Sequence, residues 1–174
     1  QGRDTMIELY VQRGGKNTDE EAAAFVREVA DLAKAADLRI VLYPHAGFYI
    51  DTIGDAVRIA KLAGRKNVGV MFNLCHFLKV EPKSDLRATL ESADDLLWRV
   101  SVCGADVDGT NWSSLIQPLD QGSFDLVSLL RVLREIGFAG EVGLQCYAVK
   151  LPPKENLQRS IIAWRAHLAK SLEE

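Results

Sequence analysis

The order of hydrophobic and polar positions in this chain repeats a short apolar segment, a polar turn and a longer amphipathic stretch five times. Short apolar runs bounded by glycine, proline or charge are typical of buried strands, and apolar positions three or four residues apart predict helices. The predicted strands cover residues 5–12, 39–43, 68–73, 100–103 and 142–146. The predicted helices begin at residue 18 and then cover about residues 52–62, 84–98, 124–136 and 153–169.

This repetition predicts the α/β class, with a parallel sheet covered by helices. A doubly wound open sheet usually has a glycine-rich phosphate loop after its first strand, and residues 12–17 lack the GxGxxG spacing. A (β/α)8 TIM barrel needs eight strands and about 250 residues. Residues 1–174 are therefore interpreted as one partial barrel domain, either a fragment or a half-barrel that another chain completes.

The amino-acid composition of the chain indicates which classes of binding partner to expect. The 174 residues are 48% hydrophobic and carry a net charge of -3, which is typical of a soluble globular domain. Basic and acidic residues are mixed, so neither nucleic acid nor an acidic membrane is an expected partner. No apolar run reaches the roughly 20 residues of a membrane helix, and the start has no signal-peptide pattern. The cellular compartment stays unassigned, and a longer precursor stays open because the chain has no initiator Met.

Polar residues are concentrated where the predicted strands end. In parallel α/β sheets the ligand binds at the carboxyl ends of the strands. His45 and His76 follow the second and third predicted strands, and we expect them to act as general base or acid, with Tyr43 as a partner. The competing interpretation, in which each histidine only satisfies hydrogen bonds of its own loop, stays open.

Amide, indole and carboxylate groups near the same edge predict a site for a hydroxyl-bearing ligand. Asn73 and Gln145 present a donor and an acceptor on neighbouring atoms, which suits sugar hydroxyls. Trp112 suits stacking on a sugar ring, and Asp106 lies in the same polar loop. The amides can equally satisfy backbone groups, and Trp112 can equally anchor its loop to the core.

The three cysteines, Cys75, Cys103 and Cys146, have no CxxC spacing, which argues against a disulfide framework and a zinc ribbon. They lie near the same edge of the predicted sheet, and this placement would allow a Cys/His metal site. However, Cys146 is adjacent to Gln145, and adjacent strand residues point to opposite sides. Buried free thiols are therefore the expectation.

Four segments resemble the xylose-isomerase-like barrel superfamily, which includes hexulose 3-epimerases, inosose dehydratases and endonuclease IV. Residues 42–47 (LYPHAG) are similar to the histidine-rich exit of strand five, and residues 73–76 (NLCH) to the family's Asp-x-x-His. Residues 116–125 resemble its Pro-Leu-Gly-x-Gly-x-Asp loop, and residues 137–145 its Gly-Tyr-x-Gly approach to the final strand. The resemblance implies that the chain covers strands four to eight of the barrel.

The resemblance also implies where a metal would be bound. Family enzymes hold a divalent ion with Glu, Asp, His and Glu, and the two Glu residues shuttle a proton beside a metal-polarised carbonyl. The matching positions are Tyr43, Asn73, Cys103 and Gln145; a two-residue shift would replace Cys103 by Ser101. Neutral groups remove the charge that attracts Mg, Mn, Co or Zn, so a divalent metal is disfavoured and the cofactor stays unknown. The family position that contacts substrate is retained as His76.

Together these features predict a sugar (phosphate) isomerase/epimerase-like protein that acts on a small-molecule carbohydrate at the C-terminal face of the barrel. Two alternatives stay open, a catalytically inactive carbohydrate-binding barrel and a metal-altered sugar lyase or dehydratase. The replaced ligands and the absent basic face oppose an endonuclease IV activity. A partial barrel exposes sheet edges, so we also expect self-association or a missing N-terminal half-barrel.

Overall fold

The fold, seen in a computed structural model that describes residues 5–14 and 18–173, contains a parallel sheet of five strands. Each strand pairs in parallel with the next one along the chain. The strands are β1 (Met6–Leu9), β2 (Arg39–Leu42), β3 (Val68–Asn73), β4 (Leu97–Val102) and β5 (Glu141–Leu144). Part of the predicted loop at residues 12–17, namely residues 15–17, lies outside the described residues, as do residues 1–4 and 174 of the predicted domain.

Helices begin where the sequence supplies side-chain caps. The Thr18 and Thr52 side chains each accept a hydrogen bond from a backbone N–H, and the carboxylates of Glu21 and Asp55 accept one from the backbone N–H of the cap residue, so both helices start with a capping box. The helices are α1 (Asp19–Ala35), α2 (Ile53–Ala63), α3 (Leu74–Val80), α4 (Leu86–Glu91), α5 (Trp112–Leu115), α6 (Leu126–Glu135) and α7 (Pro153–Leu172). They connect parallel strands, as the five predicted βα units require.

Alternation along the strands gives the sheet two different faces. One face supplies buried apolar side chains to the core shared with the helices, including Ile40, Leu42, Val70, Phe72, Val100 and Val102. The opposite face is polar at mid-height. There Arg99 Nη1 lies 3.4 Å from Glu8 Oε1, and Arg99 Nη2 lies 3.8 Å from Glu141 Oε2. The helices cover the apolar face, and the polar face corresponds to the lumen of a barrel.

The predicted helix over residues 84–98 is wrong in its second half. α4 ends at Glu91, a 3-10 turn covers Asp94–Leu96, and β4 then begins. Asp94 has a φ of 47°, in the left-handed region that interrupts a right-handed helix. Trp98 consequently lies in β4. Its ring packs so closely on Gly69 that a Cβ added to that glycine would be 2.2 Å from the ring. Packing of the indole against this glycine overrides a helix-compatible sequence.

Several other boundaries also differ from the predictions. The first and last strands are shorter than the predicted segments 5–12 and 142–146. The short helices α3 and α5 were not predicted. α3 begins at the residue after β3, so no polar turn separates a strand pattern from a helix pattern.

The sheet is open, because β1 and β5 each pair with only one neighbour. A closed (β/α)8 barrel would join such edges through further strands. The architecture is therefore part of a (β/α)8 TIM barrel, which confirms the predicted fold class. Among the described residues, no helix is both long and apolar enough to cross a membrane.

Candidate functional site

Side chains near the carboxyl ends of the strands enclose a cavity of about 310 Å³. Its lining residues are Tyr43, His45, His76, Trp112, Ile116, Gln145 and Tyr147. Gln145 directly follows β5, and its backbone N–H still donates to Val102 O at 2.8 Å. His76 lies in the first turn of α3. The cavity therefore occupies the position at which ligands bind to parallel α/β folds.

A larger cavity of about 900 Å³ lies at the opposite end of the sheet. Trp98, Glu135 and Glu141 are among its lining residues. Glu135 is paired with Arg87, and Glu141 lies near Arg99, so these carboxylates already have protein partners. In barrels of this kind the amino-terminal face of the strands contributes to stability rather than chemistry. The smaller cavity is therefore the candidate site.

The backbone of Ala46 orients both histidines of the cavity, through the N–H of one peptide group and the C=O of the next. The Ala46 N–H donates to His76 Nδ1 at 3.1 Å, and His45 Nδ1 lies 3.0 Å from Ala46 O. A backbone N–H can only donate and a carbonyl can only accept, so neutral His76 carries its proton on Nε2 and neutral His45 on Nδ1. The ring centroids are 4.2 Å apart. His45 thus retains an acceptor nitrogen, and His76 retains a donor N–H.

Burial controls the protonation of His76. The residue is 5% exposed. Loss of hydration around the imidazolium, together with the nearby His45, lowers the pKa of His76 to about 4. His76 is therefore neutral at pH 7. Phe48 stacks on His45 with ring centroids 3.9 Å apart and restricts that ring as well.

The Tyr43 hydroxyl is the centre of a second hydrogen-bond network. It accepts from Asn73 Nδ2 at 2.6 Å and from Gln145 Nε2 at 3.3 Å. The opposite ends of the amides fix their orientation, because Asn73 Oδ1 accepts from Cys75 Sγ at 3.0 Å and Gln145 Oε1 from the Tyr147 N–H at 2.9 Å. Burial, followed by the nearby Cys75 and Glu8, raises the pKa of the Tyr43 phenol above its ordinary value.

The thiols are arranged differently from one another. Cys75 and Cys103 are buried and free, as expected, whereas the expectation of burial is wrong for Cys146, which is exposed. Cys103 Sγ donates to Leu115 O at 3.2 Å, and the contact with Cys75 and burial raise the pKa of Cys103. Cys146 instead contacts Asn156 Nδ2 at 3.4 Å. It lies on the other side of the chain from Gln145, as strand alternation predicts.

Aromatic side chains form the walls of the cavity. Trp112, which the sequence predicts as a sugar contact, meets the His76 ring edge-on with centroids 5.2 Å apart. Its indole is 36% exposed, so one part remains accessible. Lys79 Nζ lies 5.9 Å from the indole centroid and donates to Thr110 O at 2.6 Å. Trp112 therefore both anchors its loop and borders the cavity.

Two predicted site residues, Asn73 and Asp106, do not line the cavity. Asn73 lies behind Tyr43 and reaches the cavity only through its hydrogen bond to the Tyr43 hydroxyl. The Asp106 carboxylate accepts from Gln117 Nε2 at 2.9 Å and from the Ser123 N–H at 3.2 Å. These bonds join the two ends of the loop that carries Trp112. In this structure Asp106 braces that loop, because its acceptor oxygens are directed to protein donors.

Four contributors to the site were not predicted. Tyr147 is 70% exposed and forms an outer wall, and Ile116 supplies an apolar patch. Alternation offers a signal for Tyr147, because it lies two positions after Gln145. Phe48 and the Ala46 backbone act through the histidines, and no sequence pattern indicates that the backbone of one residue would contact both rings.

The side chains at the implied metal positions do not fit a divalent cation. Mg and Mn require oxygen ligands that carry charge, and Zn is bound by imidazole, thiolate or carboxylate. The amide oxygens of Asn73 and Gln145 already accept protein hydrogen bonds, while their N–H groups are directed at Tyr43. Among residues 5–14 and 18–173, no group of three His, Cys, Asp or Glu side chains is placed to hold a metal. No chemical step is therefore assigned to one.

One protein-family model and several solved structures are similar to this chain. The family model described as "Xylose isomerase-like TIM barrel" matches residues 5–167. The crystal structure of the IolI protein with a bound zinc atom is 21% identical, covering 97% of this chain and 64% of that chain at a TM-score of 0.77. L-ribulose 3-epimerase is 14% identical, covering 94% and 62% at a TM-score of 0.72. The probable 3-DHS dehydratase AsbF from Bacillus anthracis is 12% identical, covering 92% and 63% at 0.74.

The similar solved structures support the fold of this chain, and the family model supports its family. No curated protein matches the chain. The chain spans less than two thirds of each of the three solved structures, and at these identities the likeness shows the fold alone. The family model, by contrast, extends over nearly all of the chain and agrees with the resemblance at the strand exits. The chain belongs to the xylose isomerase-like TIM barrel family.

Proposed function

We propose that this chain is a sugar isomerase/epimerase-like protein that acts on a carbohydrate at the carboxyl ends of its strands, with His45 and His76 as its acid–base pair. The observation that carries the proposal is the Ala46 backbone, whose N–H and C=O hold the two rings in opposite tautomers. Isomerisation and epimerisation need a base that removes a proton beside a carbonyl and an acid that protonates the carbonyl oxygen. Membership of the xylose isomerase-like family supports this class of reaction.

The tautomers assign a different role to each histidine. His45 Nε2 has a lone pair and accepts the carbon-bound proton, and the C–H electron pair becomes the double bond of an enediol. The carbonyl oxygen takes the proton of His76 Nε2. For the aldose–ketose isomer, His45 returns its proton to the former carbonyl carbon, and the hydroxyl on the original carbon gives its proton to His76 Nε2 as it becomes the new carbonyl. For an epimer, a water molecule protonates the original carbon on its opposite face, His45 gives its proton to the resulting hydroxide, and the enediol oxygen returns its proton to His76.

The remaining side chains would position the sugar. Asn73 and Gln145 hold Tyr43 on one side of the cavity, and the exposed aromatic surfaces of Trp112 and Tyr147 offer apolar faces to a ring or chain of C–H groups. The chain's own residues thus supply orientation, a base and an acid. A small carbohydrate is the partner that suits this cavity.

Solvent-proton exchange tests the proposal. The chain is incubated in D2O with EDTA and a panel of free and phosphorylated ketoses and aldoses, and NMR follows deuterium at the carbon beside the carbonyl. We expect exchange by the wild type and a loss of about 100-fold or more in His45→Asn, whose amide retains a donor for Ala46 O but lacks Nε2. His76→Asn retains an acceptor for the Ala46 N–H and should lose a similar factor. His167→Asn, in α7, is the matched control.

A carbohydrate-binding barrel without chemistry is the second candidate, and it is favoured by the neutral amides at Asn73 and Gln145. It predicts that sugars raise the thermal midpoint while no deuterium enters them. A metal-altered lyase or dehydratase would instead release water and yield an unsaturated product. If no sugar of the panel binds or exchanges, the carbohydrate proposal is refuted.

A further inference from the structure

Within residues 5–14 and 18–173, the Tyr43 hydroxyl accepts hydrogen bonds but has no acceptor for its own proton. Both hydrogen bonds described for this hydroxyl come from amide donors, Asn73 Nδ2 and Gln145 Nε2, so its oxygen acts as the acceptor in each. A phenol also has one O–H to donate. Tyr43 lines the cavity, so a ligand in the cavity is the acceptor that this proton can reach.

A second neutral donor lies beside the first. The His76 ring carries its proton on Nε2, because Nδ1 accepts from the Ala46 N–H. The centroids of the Tyr43 and His76 rings are 5.5 Å apart, and both rings line the same cavity. Two donors in the lining of one cavity suit a carbonyl oxygen, which has two lone pairs and gains negative charge when the neighbouring carbon loses a proton.

We propose that Tyr43 and His76 together bind the carbonyl oxygen of an uncharged, open-chain sugar, and that Tyr43 is a catalytic residue which polarises this carbonyl in place of a divalent ion. This inference rests on the proposed function and adds to it a substrate class and a role for the phenol. A phenol has an ordinary pKa of about 10, so the donor proton is retained at neutral pH. The amides of Asn73 and Gln145 position the oxygen and direct its proton away from themselves.

The lining of the cavity favours an uncharged ligand. Its described residues include no Asp, Glu, Lys or Arg. Lys79 Nζ lies near the Trp112 ring and donates a hydrogen bond to Thr110 O at 2.6 Å. A phosphate group would lose water in this cavity without gaining a counter-charge, which is unfavourable. A free sugar needs only hydrogen-bond partners and aromatic surface.

The test uses D-erythrulose, a four-carbon ketose too short to close a stable ring, labelled with carbon-13 at its carbonyl. In EDTA, we expect its carbonyl resonance to move downfield on binding to the wild type, because hydrogen bonds polarise the C=O bond. Tyr43→Phe should bind it about tenfold more weakly and give a smaller shift, whereas erythritol, which lacks the carbonyl, should bind both proteins equally. Tyr49→Phe removes a hydroxyl that donates to Asp19 outside the cavity and is the matched control.

Gln145→Glu supplies a second test that keeps the phenol. Its carboxylate would accept the Tyr43 O–H, so the carbonyl shift should fall as in Tyr43→Phe even if that variant folds poorly. A full shift in Tyr43→Phe, a shift that EDTA removes and Mn restores, or tenfold tighter binding of D-erythrulose 4-phosphate would each overturn the inference. Deuterium exchange that persists in Tyr43→Phe refutes only the role of Tyr43, whereas a carbonyl shift without exchange refutes only the proposed reaction.

Discussion

The buried, neutral His76 makes the stability of this fold depend on pH in a predictable window. In the unfolded chain the imidazole has its ordinary pKa of 6.5, whereas in the folded protein burial lowers the pKa to about 4. Between these values the unfolded state binds a proton that the folded state does not. Stability is therefore fully present above pH 6.5 and falls as the pH decreases towards 4.

The magnitude follows from the two pKa values. Each pH unit across this window corresponds to about 1.4 kcal/mol, so the interval from 6.5 to about 4 amounts to about 3 kcal/mol. This is a substantial part of the roughly 5–15 kcal/mol by which domains are stable. His76→Asn removes the titrating group while retaining an acceptor for the Ala46 N–H, which His76 now accepts at 3.1 Å.

Urea unfolding of the wild type and His76→Asn at several values between pH 7 and pH 4, followed by circular dichroism, measures this effect. Carboxyls with lowered pKa values, such as Asp19 and Asp125, also weaken the fold towards acid pH, but both proteins contain them and they cancel in the difference. We expect the wild type to lose about 3 kcal/mol relative to His76→Asn. The control His167→Asn retains His76 and should lose as much as the wild type. Parallel stability curves for wild type and His76→Asn would refute the assignment of a buried neutral histidine.

Three further predictions concern packing, the replaced ligands and the open edge. Gly104→Ala places a Cβ 2.1 Å from Pro118 O, so urea unfolding should show a loss of about 3 kcal/mol or more; near-wild-type stability would contradict the tight packing. The double variant Asn73→Asp with Gln145→Glu should gain Mn binding in calorimetry, because it restores negative oxygen ligands; equal Mn binding by the wild type would contradict the ligand-loss argument. We propose self-association through the unpaired edge strands, so Ile7→Lys on β1 should shift sedimentation towards the monomer, and a strictly monomeric wild type would count against this.

Much of the fold could be predicted because its signals are local. Apolar runs and the capping residues Thr18 and Thr52 indicate strands and helix starts without any knowledge of the rest of the chain. The prediction was wrong where a long-range contact decided the outcome. Trp98 packs across the sheet against Gly69, and that contact places it in a strand.

The positions of the site residues could likewise be predicted from the sequence, whereas their roles could not. From strand periodicity the sequence determined that Tyr43, Asn73 and Gln145 lie at the carboxyl ends of parallel strands, and therefore that they share one edge of the sheet. It could not assign their roles. Asp106 illustrates this, because its partners Gln117 and Ser123 are fixed only when the loop folds back on itself.

By itself, then, the amino-acid sequence determined the five βα units, the family and the edge at which the polar residues gather. Only the tertiary structure decided that the backbone N–H and C=O of Ala46 hold His76 and His45 in opposite tautomers, and that the amides are turned towards the Tyr43 oxygen. The physical reason is that periodicity depends on neighbours along the chain. Hydrogen-bond direction and burial instead depend on atoms from segments that are brought together only by folding.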